Sequence, residues 1–135
     1  MAIIEVVNPS TSEKYLMSAG MNFDGLFGQG NDEAMSSEFK KLDYDHLTIQ
    51  FKKVSLLTRH ALAITEKGEL YGWGSNENQR LGLSSSVVNS TKPVPIPFFN
   101  DPKRFKLLDV SCGADHSFVY VKEYDTLGRG MLRTY

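Results

Sequence analysis

An internal repeat of about 55 residues constrains this 135-residue chain more than any other feature of its sequence. The run Leu70-Tyr71-Gly72-Trp73-Gly74-Ser75-Asn76, followed by Leu81-Gly82-Leu83, echoes Leu16-Met17-Ser18-Ala19-Gly20-Met21-Asn22, followed by Phe27-Gly28-Gln29. Asn22 and Asn76 are 54 residues apart, and Gly28 and Gly82 have the same spacing. A period of this length indicates similar units that stack on one another.

A second echo pairs residues 54–64 with residues 110–120, where His116 minus His60 gives a spacing of 56. The two extra residues fall between Leu83 and Val110, in a region rich in Ser and Pro where loops absorb insertions. Residues 130–135 match residues 68–73 and indicate a third unit. The repeat therefore predicts one domain over 1–135, with repeat one over about 16–69, repeat two over about 70–129 and the start of a third over 130–135.

Within each unit the residue pattern is that of β-strands. Segments 60–66 and 116–122 are rich in apolar and β-forming residues, and Lys67-Gly68 supplies a turn into the run 69–73. These segments predict a hairpin. Sustained helical periodicity is missing, and only segment 32–42 is expected to form a short helix or a helical turn.

Three prolines at alternate positions constrain the segment that follows the second signature run. In an extended strand, Pro93, Pro95 and Pro97 remove hydrogen-bond donors from the same edge. The segment can therefore pair on one side only, as the outer strand of a small sheet. The alternative, a proline-rich ligand for another domain, lacks the usual P-x-x-P spacing.

The spaced motifs carry a family resemblance. The runs Asn22-x-x-Gly25-Leu26-Phe27-Gly28-Gln29-Gly30 and Asn76-x-x-Gln79-Arg80-Leu81-Gly82 resemble the N-x-x-G-Q-L-G signature of regulator of chromosome condensation repeats. Residues 110–117 resemble the strand-turn-strand that precedes this signature, and the likeness spans about 16–135. The chain departs from the pattern at Gln79, which replaces a Gly, and at Ala19, where Trp is usual.

The resemblance implies an all-β fold, a partial β-propeller of four-stranded blades arranged radially around a channel. Two blades alone leave two of their four faces bare. A face of four strands covers on the order of 350 Å², and leaving it uncovered forfeits on the order of 9 kcal/mol. Other chains or further sequence are therefore expected to cover these faces.

Charge and cysteine content exclude several classes of partner. Fifteen Lys and Arg residues stand against 16 Asp and Glu, so the net charge of −1 argues against binding to nucleic acid or anionic membranes. No window approaches the roughly 18 apolar residues of a membrane span. The single Cys cannot form an internal disulfide, which favours an intracellular, reducing compartment, the cytoplasm or nucleus, with an organelle left open.

His60 and His116, with Cys112 and Asp115 nearby, suggest a metal site that the repeat register argues against. Equivalent residues recur because each blade needs the same side chain, which most simply bonds a neighbouring turn, and no C-x-x-C or H-x-x-x-H pair is present. No metal or other cofactor is predicted.

The run Asp115-His116-Ser117 contains the residue types of a hydrolase triad. Adjacent strand residues face opposite sides, so His116 and Ser117 are not expected to meet. The glycines 25, 28 and 30 lack the context of a phosphate-binding loop and indicate a turn. No catalytic residue, and no enzyme activity, is predicted.

The remaining apolar residues divide between core and surface candidates. Cys112 is expected to be a small buried thiol, and the aromatic core candidates are Tyr71, Trp73, Phe118 and Tyr120. Phe98 and Phe99 either pack on their own blade or contact a partner, because aromatic residues are common in both settings. Four residues are predicted to bind a partner: Phe98, Phe99, Leu132 and Tyr135.

The absence of a catalytic set and the bare blade faces predict a non-catalytic protein–protein interaction module or structural subunit. The partners expected are proteins that complete the propeller or dock on its rim. The resemblance to the family implies the alternative, part of a guanine-nucleotide exchange factor for a small Ran-type GTPase. Such a GTPase is therefore a possible partner.

Overall fold

The computed structural model describes residues 1–135, which form three consecutive antiparallel sheets. Sheet 1 contains β1 (Ala2–Val7), β2 (Lys14–Met21) and β3 (Met35–Lys41). Sheet 2 contains β4 (Phe51–Leu57), β5 (His60–Thr65), β6 (Leu70–Ser75) and β7 (Asn89–Pro95). Sheet 3 contains β8 (Phe105–Cys112), β9 (Ser117–Tyr124) and β10 (Gly130–Thr134). Two short 3-10 helices, Glu77–Gln79 and Pro97–Phe99, lie in the connections.

Each strand pairs with the strand that precedes it in the same sheet, as expected for a chain of hairpins. The β5–β6 turn contains Lys67 and Gly68, and Gly68 has a φ of +83°, which glycine adopts without steric cost. The predictions of an all-β fold and of this hairpin are confirmed.

The three sheets stack face to face as blades of a partial β-propeller, with sheet 2 in the middle. Successive side chains of a strand point to opposite faces, so Ala61 and Ala63 face sheet 1 while Leu62 and Ile64 face sheet 3. Burial on both faces explains why β5 is an uninterrupted apolar run after His60 rather than an alternating pattern.

Two hydrophobic clusters fill the two junctions. The cluster between sheets 2 and 3 has 12 buried residues: Leu62, Ile64, Leu70, Leu81, Ile96, Phe99, Phe105, Leu107, Val110, Cys112, Val119 and Val121. The cluster between sheets 1 and 2 has seven: Leu16, Leu26, Leu42, Phe51, Ala61, Ala63 and Trp73. The residues before Leu16 take part as well, because Ile3 of β1 packs against the second cluster.

The sheets are out of phase with the sequence units. In sheet 2, β4 and β5 lie within 16–69, whereas β6 and β7 lie within 70–129. Each sheet therefore combines the end of one unit with the start of the next. The chain therefore forms three sheets rather than two blades, and β1 adds a strand from ahead of the first unit to sheet 1. Only the outward faces of sheets 1 and 3 are uncovered.

Local expectations for two segments need correction. Segment 32–42 forms strand β3 rather than a helix, because residues 35–41 pair with β2, and tertiary pairing outweighs a weak helical pattern. The proline segment is the outer strand β7, as predicted, and pairs only with β6. Pro93 and Pro95 lie in that strand, whereas Pro97 begins a 3-10 helix.

The register of β10 corrects the alignment of the third unit. Tyr135 and Val119 exchange two backbone hydrogen bonds of 2.9 Å, just as Tyr71 pairs with Ala63 in sheet 2. Val119 occupies the position of Ala63, so Tyr135 is the counterpart of Tyr71 and not of Trp73. The reason is a longer β9–β10 hairpin, whose pairing extends to Tyr124 and Gly130.

Candidate functional site

The asparagines of the signature runs hold the loops that follow β2 and β6. The Asn76 side-chain oxygen accepts a hydrogen bond from the Leu81 N–H at 3.1 Å, and its amide donates to the Val87 carbonyl at 2.7 Å. Asn22 accepts from the Phe27 N–H at 2.9 Å and donates to the Glu33 carbonyl at 2.7 Å. The motif is therefore structural, because each Asn satisfies backbone groups of its own loop.

Trp73 fills the junction between sheets 1 and 2. Its side chain is fully buried, and its indole Nε1 donates to the Leu26 carbonyl at 3.0 Å. Gly28 lies against the indole, since a Cβ built there would be 3.0 Å from Nε1. The prediction that Trp73 belongs to the core is confirmed.

His60 bridges the junction between sheets 2 and 3 through Ser117. The Ser117 hydroxyl donates to the Arg80 carbonyl at 2.6 Å, and the His60 Nε2 lies 2.9 Å from the same hydroxyl oxygen. A hydroxyl has one proton to donate, so His60 donates to Ser117 and is the Nε2–H tautomer. The Nδ1 atom is buried and has no hydrogen-bond partner.

The surroundings of His60 keep its imidazole neutral. Burial, and after it the nearby Arg80 guanidinium, lower the pKa of His60 to about 4. A backbone hydrogen bond to His116 acts in the opposite direction but is a smaller effect than burial or Arg80. His60 is therefore a structural histidine, as expected, but its partner Ser117 is the first residue of strand β9 rather than part of a neighbouring turn. His116 is exposed and stacks edge-on against Phe118.

Ser117 and His60 resemble a nucleophile and its base, but the polarity of their hydrogen bond is reversed. A general base accepts the serine proton, whereas the Ser117 proton goes to a backbone carbonyl. Asp115 lies 3.2 Å from Arg80 and does not orient the histidine. The structure contains no group of three His, Cys, Asp or Glu side chains that could hold a metal ion.

Arg80 is a buried cation that the sequence did not identify. Its Nε donates to the Glu77 carbonyl at 2.8 Å and its Nη1 to the Ala114 carbonyl at 3.1 Å, while Nη2 contacts Asp115. A buried charge needs such partners to offset its desolvation. Its position corresponds to the apolar Leu26 in the first unit, so the repeat gave no signal for an ionic role.

Cys112 is buried at the same junction, as predicted. Its N–H donates to the Ser55 hydroxyl at 3.0 Å and its thiol to the Ser55 carbonyl at 3.2 Å. Burial raises the pKa of the thiol to about 11. The side chain therefore ties β8 to β4 and is not a reactive nucleophile.

The raised pKa predicts slow alkylation of Cys112 in the folded chain. At pH 8 the thiolate fraction is on the order of 100-fold lower than for an unperturbed thiol, and burial slows access further. We expect iodoacetamide to modify the folded chain at least about 100-fold more slowly than the urea-unfolded chain. Mass spectrometry of timed samples measures both rates, and comparable rates would contradict the assignment.

The outward face of sheet 3, defined here by His116, Phe118, Tyr120 and Leu132, is uncovered. Phe118 is 48% exposed and Leu132 62% exposed. The expectation that Phe118 and Tyr120 belong to the core is therefore wrong for this chain, because no sheet packs on this face. Their counterparts in sheet 2, Leu62 and Ile64, are fully buried.

The outward face of sheet 1 carries a smaller uncovered apolar surface. Ile4 of β1 is exposed beside the half-buried Met17 of β2, with which it pairs. Tyr15 is shielded on one side, because the Lys41 ammonium lies 4.0 Å from the centroid of its ring. Both ends of the stack therefore present apolar side chains.

Three of the four predicted partner-binding residues lie together, whereas the fourth does not. The ring centroids of Phe99 and Tyr135 are 5.4 Å apart, those of Phe98 and Phe99 4.9 Å. Phe99 is buried and Phe98 is 58% exposed, so the pair divides between core and surface. Leu132 lies on the outward face of sheet 3, and partner binding by these residues stays a prediction.

Stacked antiparallel sheets joined through Asn- and Gly-containing signature loops define a repeat protein of the β-propeller class. Two family models, each described as "Regulator of chromosome condensation (RCC1) repeat", match residues 67–120 and 52–80. The chain belongs to this repeat family, as the signature runs predicted.

Relatives with recognisable sequence similarity are larger proteins. The chain is 33% identical over 122 residues to the ultraviolet-B receptor UVR8 of Arabidopsis thaliana, covering 90% of the chain and 26% of the receptor. It is 28% identical over 121 residues to the serine/threonine-protein kinase Nek8 of Danio rerio, covering 89% of the chain and 16% of the kinase. The chain therefore spans about a quarter or less of the length of these relatives.

Solved structures show the same fold. The crystal structure of human WBSCR16 superposes with a TM-score of 0.68 at 24% identity, covering 84% of the chain and 29% of that protein. Prp20p of Saccharomyces cerevisiae, described with its binding properties to Gsp1p and histones, superposes with a TM-score of 0.68 at 17% identity. That match covers 90% of the chain and 31% of Prp20p. None of the helices has the length and hydrophobicity of a membrane-spanning segment.

Proposed function

We propose that the chain is a non-catalytic interaction module whose outward sheet faces bind further propeller blades, supplied by other chains or by additional sequence. The observation that carries this proposal is the correspondence between a covered and an uncovered face within one chain. His60, Leu62 and Ile64 on sheet 2 are buried by sheet 3. Their counterparts 56 positions later on the outward face of sheet 3 are exposed: His116, Phe118 and Tyr120.

The covered junction indicates what an uncovered face requires of its partner. Against sheet 2, sheet 3 presents the apolar Val119 and the hydroxyl of Ser117, which His60 bonds. Ser55 of sheet 2 binds the backbone and thiol of Cys112, and Ser111 is its counterpart on the outward face. A partner sheet with small apolar side chains and a hydroxyl opposite His116 would fit this surface.

The proposal predicts self-association through the outward face of sheet 3 when no other partner is present, because large uncovered apolar surfaces promote association. The double variant Phe118→Glu with Tyr120→Glu is expected to shift the mass of the chain towards the 15.2 kDa monomer. Sedimentation velocity across a range of concentrations measures this shift.

Leu47→Glu provides a matched control, since Leu47 is an exposed apolar residue in the loop between sheets 1 and 2. It is expected to leave the mass distribution unchanged. A wild-type chain that stays monomeric at every concentration, and binds no blade of a related propeller, would contradict the proposal.

A role in nucleotide exchange on a Ran-type GTPase is the alternative function. The likeness to Prp20p, whose structure was described with its binding to Gsp1p, favours it only through the shared fold. A nucleotide-release assay with a panel of small GTPases tests it, and clear acceleration by this chain would favour exchange over a passive scaffold. An intracellular, reducing location and the lack of enzyme activity belong to the same proposal.

A further inference from the structure

The open edge of β3 differs from the open edge of its counterpart in sheet 2. β3 and β7 are the last strands of sheets 1 and 2, and each pairs with a neighbour on one side only. β3 lies inside the chain, between the loop that follows β2 and the loop that leads to β4. Its open edge therefore belongs to the fold of sheet 1 itself.

The two outer strands have the same local geometry. In both, the register shifts at a bulge, and a serine spans the irregular residues. The Ser36 hydroxyl donates to the Glu38 carbonyl at 2.8 Å, and the Ser90 hydroxyl donates to the Lys92 carbonyl at 2.7 Å. The two serines are 54 residues apart, which is the spacing of the signature asparagines. The residues of β3 can therefore be matched with those of β7 one by one.

The backbone direction shows which groups of β3 reach the open edge. The Leu42 N–H donates to the Leu16 carbonyl at 3.1 Å, so it points towards β2. Along a strand, successive residues direct their backbone groups to opposite edges, and in an antiparallel strand the N–H and C=O of one residue share an edge. Phe39 and Lys41 therefore direct both of their backbone groups to the open edge.

Prolines close this edge in β7 but not in β3. The residues 54 positions after Phe39 and Lys41 are Pro93 and Pro95, and proline has no N–H to donate. β3 thus has a hydrogen-bond donor at each of the two positions where β7 lacks one. An edge with donors and acceptors at alternate residues can pair with an added strand.

The side chains along the edge restrict which strand can add. Charged residues on an edge discourage indiscriminate pairing, and Glu38, Lys40 and Lys41 are all exposed. An antiparallel copy of β3 centred on Phe39 places Glu38 of each chain directly opposite Lys40 of the other, with the two Phe39 side chains opposite one another. Such cross-strand pairs stabilise a sheet. A register centred on Glu38 or on Lys40 would place like charges opposite each other.

We propose that β3 is a docking edge for a second copy of this chain, whose own β3 adds antiparallel and centred on Phe39. The two copies of sheet 1 then form one continuous sheet. This contact is independent of the proposed function, because it uses the edge of sheet 1 and none of the outward sheet faces. A contact between two edges is small, so the dimer is expected to be weak.

A pair of substitutions at Lys41 tests the backbone contact. Both are made in the Phe118→Glu with Tyr120→Glu double variant, which removes association through the outward face of sheet 3. Lys41→Pro copies Pro95 and removes the N–H from the open edge. Lys41→Ala is the matched control, because it also removes the ammonium but keeps the N–H. The dissociation constant of the dimer is expected to be at least about 10-fold higher for the Pro form than for the Ala form.

Sedimentation equilibrium measures both dissociation constants, and the near-ultraviolet circular dichroism of Trp73 checks that each variant keeps its fold. Equal constants for the Pro and Ala forms would overturn the proposal. A double variant that stays monomeric at about 1 mM would also overturn it, and would leave association through the outward face of sheet 3 unaffected as a separate question.

An exchange of charges tests the register and the identity of the partner. In the same background, Glu38→Lys and Lys40→Glu each place like charges opposite each other in a dimer of identical chains, so each alone is expected to dimerise at least about 10-fold more weakly. An equimolar mixture of the two variants restores both opposite-charge pairs, and the dimer is expected to return at the same total concentration. No recovery in the mixture would overturn the proposal, because an edge that binds an unrelated extended segment does not need this complementarity.

Discussion

Replacing Trp73 with Ala is expected to lower the free energy of unfolding by about 3–5 kcal/mol, the range for truncation of large buried aromatic residues. The substitution removes a fully buried ring from the junction of sheets 1 and 2 and leaves the Leu26 carbonyl without its indole donor. An unpaired buried carbonyl adds to the cost of the cavity. A loss of this size approaches the whole stability of a small domain.

Urea unfolding followed by circular dichroism measures this effect, since Trp73 is the single tryptophan and its fluorescence is lost with the substitution. Trp73→Phe keeps a ring but removes the donor, so a smaller loss is expected. Phe39→Ala is the matched control, because Phe39 is an exposed aromatic residue of β3 and its removal should change stability by about 0.5 kcal/mol or less. Equal losses for Trp73→Ala and Phe39→Ala would show that the junction does not depend on the indole.

Most of the fold could be predicted from the repeat period, because the same residue types recur where the same local geometry recurs. Asn22 and Asn76 satisfy their loops with equivalent hydrogen bonds to Phe27 and Leu81, and such local bonds leave a local sequence pattern. The alternate prolines likewise report an outer strand, since a missing donor is a property of the residue itself.

Contacts between sheets were harder to predict, because they depend on which sheet covers which face. Phe118 and Tyr120 have the composition of core residues, yet the chain provides no sheet to cover them. β1 precedes the first signature run and matches no repeated motif, so only pairing with β2 reveals it as a strand. Strand register was also hard to predict from the sequence. The longer β9–β10 hairpin places Tyr135 two positions away from where the sequence alignment puts it.

The polar centre of the second junction shows the same limit. Sequence adjacency directs attention to His116 beside Ser117, whereas the histidine that bonds Ser117 is His60, 57 residues earlier. The Ser117 hydroxyl donates to the backbone carbonyl of Arg80, and a backbone contact of this kind cannot be inferred from the residue type. The repeat period shows that His60 and His116 occupy equivalent positions. Only the three-dimensional arrangement shows that His60 donates to Ser117 and therefore cannot act as its general base.

The buried neutral state of His60 predicts that the folded chain loses stability in mild acid. The pKa of His60 is about 4 in the folded state against an ordinary value of 6.5, so below pH 6.5 the unfolded chain binds a proton that the folded chain resists. Stability from this group is complete above pH 6.5 and is lost as the pH falls towards 4. Between pH 7 and pH 5 the loss is expected to be about 2 kcal/mol.

His60→Gln isolates this effect, because a glutamine amide can still donate to Ser117 but does not titrate. The variant is expected to lose less stability than the wild type between pH 7 and pH 5, measured by urea unfolding at each pH. His116→Gln is the matched control, since His116 is exposed and its charge is only a lesser cause of the lowered pKa of His60, and it should keep most of the wild-type loss of stability. Arg80 and Asp115 lie beside His60 and act in opposite directions on its pKa, and both are present in the wild type and in each variant, so neither can produce the difference between the variants. Parallel profiles for the wild type and His60→Gln would mean that His60 accepts a proton freely in the folded chain, and the assigned polarity of its bond to Ser117 would then be wrong.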